Sequence, residues 1–162
     1  MIRTVRKEDA KQICDIYNYY VENTIITFEE EPVNLKEMEY IIIEILCSMP
    51  CLVYEEENRI ISYAYAGKWK GRCAYRYSAE STVYVKNDSP GKGIGTRLYK
   101  KLLEKLKNKG IHAVLGGIAL PNEKSRKLHE KLGFKKVAHF KEVGYKFNKW
   151  IDVEYWELIL KE

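Results

Sequence analysis

The sequence predicts an α+β fold in which a central mixed sheet carries helices on both faces. Segments with the alternating pattern of strands recur along the chain, and segments with helical periodicity separate them at irregular intervals. One continuous apolar run, residues 113–120, has the pattern of a central strand buried on both faces. The length of 162 residues, without a linker, repeat or low-complexity segment, predicts a single domain over residues 1–162.

The first half of the chain carries the patterns of two helices and four strands. Helical spacing of apolar residues covers residues 9–22, and a second helix is predicted from Asn34 to just before Pro50. Asn34 followed three residues later by Glu37 is the pattern of a capping box, which marks a helix start. The predicted strands are residues 2–6, 51–54, 59–69 and 74–85, of which the middle two form a hairpin across the turn EEENR.

The second half of the chain alternates helices and strands. A glycine-rich loop leads into a helix with its apolar residues on one side, and Gly110 ends that helix in the manner of a C-cap. Pro121 and Asn122 precede a short helix that Gly133 stops. The predicted elements after the loop are a helix from Ile94, a strand over 113–120, a helix over 123–132, and strands near 135–141 and 151–160.

Composition narrows the class of protein. The net charge is +5 with lysines spread along the chain, which predicts a solvated basic surface and no nucleic-acid partner. The cysteines form no C-x-x-C pair and no cluster with histidines, so no metal site is expected; they are Cys14, Cys47, Cys51 and Cys73. The N-terminus has no apolar signal core, and Glu44 and Pro50 interrupt the longest apolar run. We therefore expect a cytoplasmic protein with no membrane partner.

The glycine-rich loop is the first pointer to a ligand. Gly91, Gly93 and Gly95 alternate with Lys92 and Ile94, and they allow a backbone to approach a ligand closely. The first amide N–H groups of the following helix lack helical partners and attract anions, so a phosphate or pyrophosphate is the expected guest. A tight turn without a ligand is the alternative. The loop is not a P-loop, since a glycine rather than Ser or Thr follows Lys92, and it comes too late in the chain for a Rossmann fingerprint.

Three spaced motifs resemble the GNAT N-acetyltransferase superfamily. Val83-Tyr84-Val85 followed by GKGIGTRL is similar to its acetyl-CoA motif, and LPNEKSRKLHEKLGFK resembles its asparagine-bearing helix. The segments SAESTVYV and GYKFNKWIDVEYW resemble the phosphinothricin N-acetyltransferase branch, which includes acetyltransferases of methionine sulfoximine and sulfone. The resemblance covers residues 2–160. It implies a mostly antiparallel mixed sheet and direct transfer of an acetyl group from acetyl-CoA to a primary amine, without a metal.

The resemblance also implies which residues bind acetyl-CoA. The expected contacts are Val83, Tyr84, Val85, Gly91, Lys92, Gly93, Ile94, Gly95, Thr96, Asn122 and Ser125. Asn122 is in addition a good helix N-cap. Pro90 departs from the superfamily, which has Gln or Arg there, and proline offers neither a side-chain donor nor an N–H. The amides of residues 91–96 are then expected to hold the pyrophosphate.

Two residues are candidates for acid–base catalysis. Glu80 lies just before the strand expected to contact CoA, where the superfamily places its catalytic glutamate, and it is the first candidate for general base. An exposed strand acid, or an acid paired with Arg76, is the alternative. His129 stands where much of the superfamily has a tyrosine that protonates the thiolate, and histidine exchanges protons near neutral pH. A histidine packed against the turn after its helix is the alternative.

The resemblance implies a small amino-acid-like substrate, such as phosphinothricin or methionine sulfoximine or sulfone. Arg76 is a candidate for its carboxylate or other oxygens, because a guanidinium donates two parallel hydrogen bonds, and Arg72 is an alternative. The other expected substrate contacts are Phe28, Glu29, Tyr75 and Tyr77. A homodimer is also implied.

Two other functions stay open. One is acetylation of a different amine, such as a polyamine, an aminoglycoside or a protein N-terminus. The other is a CoA-binding module without chemistry, which the departure at Pro90 suggests.

Overall fold

A seven-stranded sheet runs through the centre of the computed structural model, which describes residues 1–89 and 91–161. The strands are β1 (Ile2–Thr4), β2 (Cys51–Glu56), β3 (Arg59–Lys68), β4 (Ser78–Val85), β5 (Ala113–Ala119), β6 (Lys135–Lys146) and β7 (Lys149–Ile159). They lie in the order β1-β2-β3-β4-β5-β7-β6, and the β4–β5 pair is parallel while the others are antiparallel. The predicted α+β class with a mixed, mostly antiparallel sheet is confirmed.

Helices cover both faces of this sheet, as predicted. In the described part of the chain they are α1 (Ala10–Asn23), α2 (Leu35–Ser48), α3 (Ile94–Asn108) and α4 (Glu123–Lys131). Tyr63 of β3 packs with the cores of α1 and α2, whereas its neighbour Ala64 packs with the core of α3. Successive side chains of a strand point to opposite faces, so the two cores lie on opposite sides of the sheet. None of the described helices is long and apolar enough to cross a membrane.

The predicted capping box of α2 is present. The Glu37 N–H donates to the Asn34 side chain and the Asn34 N–H donates to the Glu37 carboxylate, each at 2.9 Å. These bonds satisfy two donors at the helix start that have no helical partner.

The predicted strand over residues 74–85 is wrong in its first part. Residues Cys73–Tyr75 form a 3-10 turn, and β4 begins only at Ser78. The Tyr75 N–H donates to the Arg72 carbonyl at 3.0 Å, and the Arg76 N–H donates to the Cys73 carbonyl at 3.1 Å. These local bonds occupy main-chain groups that a strand needs for its neighbours.

The last hairpin is longer than predicted, because β6 continues to Lys146 rather than ending near residue 141. Phe147 and Asn148 join it to β7 with φ of 53° and 59°, which is typical of a tight turn between antiparallel strands. A register shift between Phe140 and Gly144, with Glu142 at a φ of 53°, interrupts the pairing. This bulge breaks the two-residue periodicity from which strands are predicted.

Strands β4 and β5 pair only at one end. Their parallel register covers Ser78–Glu80 against Ala113–Leu115. Beyond Glu80, β4 stays paired with β3 up to Val85, and β5 stays paired with β7 up to Ala119. The two halves of the sheet therefore separate after Glu80 and leave a cleft between neighbouring strands.

Candidate functional site

The cleft between β4 and β5 opens into a cavity of about 250 Å³. Its walls come from both strands, the loop after α1, the start of α4 and strand β7. The lining residues that matter for chemistry are Glu80, Ser81, Tyr99, Asn122, His129 and Tyr155, and those that give it shape include Ile26, Phe28, Val83 and Gly117. Both predicted catalytic residues, Glu80 and His129, thus line the same cavity.

A second groove, of about 330 Å³, adjoins this cavity and shares Ile26, Val83, Asn122 and Ser125 with it. It is lined by the glycine-rich loop, all the predicted loop residues from Gly91 to Thr96, and by Val85. Lys92, Lys124, Lys127 and Lys131 also line it. The groove is thus suited to an elongated ligand that has an anionic end at the lysines and whose other end reaches into the first cavity.

The glycine-rich loop takes a backbone that ordinary residues avoid. Gly91 and Gly93 have φ of 88° and 66°, and Gly93 is the N-cap of α3 without a side-chain cap. The first amides of α3 are therefore free of a capping side chain and available to an anion. A Cβ on Gly95 would lie 3.2 Å from Val85 Cγ2, so glycine lets the loop lie close to β4. Pro90 lies outside the described residues.

The open edge of β4 presents main-chain groups to the cleft. The Lys86 N–H donates to the Ile61 carbonyl on β3, whereas the Tyr77 carbonyl accepts from residues at the start of β5. Main-chain groups alternate in direction along a strand, so those of odd-numbered Val83 and Val85 face the cleft. The Val85 carbonyl accepts from the Tyr20 hydroxyl. The N–H groups of Val83 and Val85 are thus directed at a ligand in the cleft.

Glu80 is half-buried at the point where the strands separate. Burial raises the pKa of its carboxyl above the usual value, although Lys70 and the Tyr155 hydroxyl oppose the shift. Arg76 does not pair with it; its guanidinium donates to the Cys73 carbonyl at 3.0 Å and lies 4.6 Å from the Tyr77 ring centroid. A carboxylate with a raised pKa is better matched to proton transfer near neutral pH than an exposed one.

His129 is buried in a polar network on the face of the sheet opposite to Glu80. Its Nδ1 lies 2.8 Å from the Ser125 carbonyl, which can only accept, so Nδ1 carries the proton and Nε2 is the acceptor in the neutral ring. Nε2 lies 3.3 Å from the Tyr99 hydroxyl, and that hydroxyl is also hydrogen-bonded to Ser81 Oγ. Burial lowers the pKa of His129, so the ring is neutral at physiological pH.

The two catalytic candidates approach the cleft from opposite faces of the sheet. Glu80 and Ser81 are adjacent on β4, and successive side chains of a strand point to opposite faces. Ser81 belongs to the network of Tyr99 and His129, whereas Glu80 lies on the face of α1 and α2. A substrate in the cleft would thus have a carboxyl group on one side and a row of hydroxyl and imidazole groups on the other.

Asn122 and Ser125 sit where the cavity and the groove meet. The Ser125 N–H donates to the Asn122 side chain at 3.1 Å, so Asn122 is the N-cap of α4 as predicted. Tyr84 lines the cavity as well, but its ring is buried among the rings of Tyr17, Tyr20 and Tyr63. Its predicted contact with acetyl-CoA stays a prediction.

The predicted substrate residues fall into two groups. Phe28 lines the cavity that holds Glu80 and His129, and Glu29 lines a separate cavity of about 270 Å³ between the sheet and helices α1 and α2. Tyr75, Arg76 and Tyr77 lie on the exposed turn before β4, and none of them is among the described residues that line either cavity. Their role in substrate binding stays a prediction.

Several residues of the site were missed from the sequence. Ser81 is next to Glu80, and Tyr155 is within the motif GYKFNKWIDVEYW, so position in a motif could have suggested both. Tyr99 lies among the buried apolar residues of α3, so its helical spacing indicates a core residue rather than a site residue. Gly116 was also missed, although a Cβ there would lie 2.5 Å from His129 Nε2. Among residues 1–89 and 91–161, no group of His, Cys, Asp or Glu is suited to a metal ion.

Comparison with known proteins gives one family. The model of the acetyltransferase (GNAT) domain matches residues 2–155. Phosphinothricin N-acetyltransferase of Streptomyces viridochromogenes is 37% identical, over 96% of this chain and 85% of that protein. L-amino acid N-acyltransferase MnaT of Escherichia coli is 34% identical, over 99% and 94%. L-methionine sulfoximine/L-methionine sulfone acetyltransferase of Salmonella typhimurium is 33% identical, over 99% and 95%.

Solved structures agree with these relatives. The structure of yncA from Salmonella typhimurium with acetyl-CoA has a TM-score of 0.97 and 33% identity, and covers 100% of this chain and 94% of that one. A phosphinothricin acetyltransferase from Sinorhizobium meliloti with acetyl-CoA has a TM-score of 0.96 and 30% identity, over 100% and 89%. A ribosomal-protein-alanine N-acetyltransferase from Brucella melitensis has a TM-score of 0.95 and 32% identity, over 99% of each chain.

Proposed function

This chain belongs to the acetyltransferase (GNAT) family, and from that premise we propose that it moves the acetyl group of acetyl-CoA to the primary amine of a small amino-acid-like substrate. The observation that carries the proposal is the cleft where β4 and β5 separate. It joins an anion-binding groove to a cavity that holds Glu80 and His129. Both substrates can therefore meet in one place, which favours direct transfer over a covalent enzyme intermediate.

The groove fits acetyl-CoA at each end. Amides at the start of α3 and the lysines that line the groove suit a pyrophosphate. The Val85 N–H, directed at the cleft, suits an amide of an extended pantetheine arm, which would lie beside β4 like an additional strand. Asn122 lines both the groove and the cavity, which makes it a candidate contact for the same arm.

The reaction begins with removal of a proton from the substrate ammonium, since only the neutral amine attacks. Glu80 is the base in this proposal, acting directly or through a water molecule. Its position in the cavity and its raised pKa support the assignment. The Val83 N–H then stabilises the negative charge that develops on the thioester oxygen.

The departing thiolate needs a proton, and we assign this step to the face of β4 opposite Glu80. There the hydroxyl groups of Ser81 and Tyr99 and the imidazole of His129 are hydrogen-bonded in a row. One hydroxyl of this row gives its proton to the thiolate and takes a proton back from solvent after the products leave, while the neutral His129 keeps the row oriented. The acid and base functions are thus on different sides of the reacting atoms.

The substrate class rests on the relatives. Proteins named for phosphinothricin, L-amino acids and methionine sulfoximine or sulfone are similar over nearly the whole chain. The cavity of about 250 Å³ fits an amino acid better than a polycation, and Glu29 is not among the residues that line it. Acetylation of a protein N-terminus is the second candidate, because a structure at 32% identity is named for that activity.

Thiol release from acetyl-CoA tests the proposal directly. The panel should contain phosphinothricin, methionine sulfoximine, methionine sulfone, a polyamine, an aminoglycoside and a peptide with N-terminal alanine. Turnover that is fastest with the amino-acid analogues supports the proposal. If the peptide or a polycation is turned over faster, the proposed substrate class is wrong and that amine takes its place. Acetyl-CoA binding without any turnover supports a non-catalytic module instead.

We also infer a homodimer that acts in the cytoplasm. Large apolar side chains are exposed on the β6–β7 hairpin, with Trp150 65% and Val143 61% accessible, and β6 is an edge strand. The four cysteines are free, which is consistent with a reducing compartment. Sedimentation of the purified protein tests the dimer: a monomer at micromolar concentration contradicts it, and a dimer that Trp150→Lys dissociates supports it.

A further inference from the structure

Lys146 is a lysine buried at the end of β6, with 1% of its surface accessible. A buried ammonium group has to be hydrogen-bonded, because burial removes the water that otherwise stabilises its charge. Its Nζ donates to the Thr24 carbonyl at 2.7 Å and to the Thr27 carbonyl at 2.8 Å. The same ammonium lies 5.0 Å from the Phe147 ring centroid. One cation thus holds two main-chain groups that are more than a hundred residues away in the sequence.

The two carbonyls belong to the loop that follows α1. Between and beside them, Ile26, Thr27 and Phe28 line the catalytic cavity. The loop also bonds to itself and to α1, since the Ile26 N–H donates to Thr24 Oγ1 and the Tyr17 hydroxyl contacts Thr27 Oγ1. Lys146 reaches the loop from a different element, the last hairpin.

Gly144 makes a second contact between this hairpin and the same loop. A Cβ on Gly144 would overlap the ring of Phe28, with three ring carbons within 2.9 Å. The Phe28 ring therefore packs directly against the backbone of β6. Gly144 and Lys146 point to the same face of the strand, because they are two residues apart.

We propose that residues 144–146 of β6 shape the acceptor-amine pocket. In this proposal Lys146 is a positioning residue that holds in place the wall formed by Ile26, Thr27 and Phe28. This inference rests on the proposed function and names the part of the fold that sets its amine site. It also gives a role to the GYKF portion of the C-terminal motif, which the mechanism does not use. A side-chain end with at least two N–H donors is required, since the Thr24 and Thr27 carbonyls both accept from it.

The test compares Lys146→Met with Lys149→Met. Methionine keeps most of the side-chain volume and removes the ammonium, and Lys149 is an exposed lysine paired with Lys146 across the hairpin. For Lys146→Met we expect the KM for the amine to rise about tenfold or more, with the KM for acetyl-CoA within about twofold of wild type. For Lys149→Met we expect both constants to stay unchanged.

A second variant keeps the proposal testable if Lys146→Met folds poorly. Gly144→Ala leaves the ammonium in place and displaces the Phe28 ring, so the same selective rise in the amine KM is expected. An unchanged amine KM in a folded variant, or an equal rise in both KM values, overturns the proposal.

Hydrogen exchange of the loop gives a readout that does not depend on activity. In Lys146→Met, the amides of residues 24–31 should exchange faster than in wild type, while those of α3 should not change. Unchanged exchange in this loop overturns the proposal even if no amine is turned over. An inactive wild-type protein whose loop exchange does respond to Lys146→Met contradicts the proposed function alone.

Discussion

A Cβ atom on Gly116 would lie 2.5 Å from Nε2 of His129, so the imidazole occupies the space that any larger residue on β5 needs. The contact joins the centre of β5 to the buried network of Tyr99 and Ser81. Gly116 thus leaves the space in which the imidazole lies, although it has no functional group of its own.

Replacing Gly116 with alanine should displace His129 and disturb the network without changing the acetyl-CoA groove. We expect kcat to fall roughly 10- to 100-fold, since small displacements in a site are costly, with little change in acetyl-CoA affinity. Steady-state kinetics and calorimetric titration with acetyl-CoA measure the two quantities. Gly71→Ala is the control, because a Cβ there meets nothing within 4 Å. A wild-type kcat for Gly116→Ala would show that the position of the imidazole does not matter.

Glu80→Gln should lower turnover about 10²- to 10⁴-fold, the usual contribution of a general base. Because burial raises the pKa of Glu80, the wild-type rate should rise with pH through a step above the ordinary carboxyl value of about 4.3. The variant should lose that step and keep its acetyl-CoA affinity. The measurement is kcat/KM for the amine from pH 4.5 to 9, with Glu104→Gln, on the exposed side of α3, as the control. A variant that keeps the wild-type rate across this range removes Glu80 from the mechanism.

The lowered pKa of His129 predicts how stability depends on pH. Below about pH 6.5 the unfolded chain binds a proton that the folded protein resists, so the free energy of unfolding should fall as pH decreases toward the folded pKa. The slope from this one group is at most about 1.4 kcal/mol per pH unit. Urea denaturation of wild type and His129→Gln at pH 5 to 8 measures it, and the difference between the two curves isolates this histidine. A difference that is constant with pH contradicts the prediction.

Gly93→Ala should weaken acetyl-CoA binding and lower stability. Its φ of 66° costs an alanine about 1 kcal/mol or more, and relaxation of the loop would turn its amides away from the groove. Gly110→Ala at the other end of α3 is the matched control, because its φ of 89° imposes a similar strain far from the groove. Both variants should melt at lower temperature, but the acetyl-CoA KM should rise only for Gly93→Ala. A similar rise in both would assign the effect to general destabilisation.

Local patterns were sufficient for most of the elements. Asn34 and Glu37 predicted the start of α2, and Gly110 the end of α3, because caps depend on residues close in sequence. The predicted strand over residues 74–77 was wrong. The tyrosines there favour a strand by composition, but local 3-10 hydrogen bonds decide the conformation. The extension of β6 to Lys146 was not predicted for a different reason: a bulge at Glu142 interrupts the two-residue periodicity that indicates a strand.

The candidate site divides in the same way. The loop over residues 91–96, Glu80 and His129 were predicted from contiguous motifs that resemble the GNAT superfamily, and all of them line the cavity or its groove. Tyr99 and Tyr155 were not, because each reaches the cavity through packing with residues distant in sequence. Arg76 was chosen for its chemistry, yet its guanidinium is bonded within its own turn.

By itself, the sequence determined the α+β class and the glycine-rich loop, since both depend on residue type and short-range spacing. The candidate acid and base came from motifs that resemble the GNAT superfamily. Only the tertiary structure decided that β4 and β5 separate after Glu80, and that the side chains of Glu80 and His129 lie on opposite faces of the sheet. It also decided that Lys146 is buried beneath the loop after α1. The physical reason is that strand pairing, burial and the pKa values that follow from burial depend on contacts between segments far apart in the chain, which no local pattern encodes.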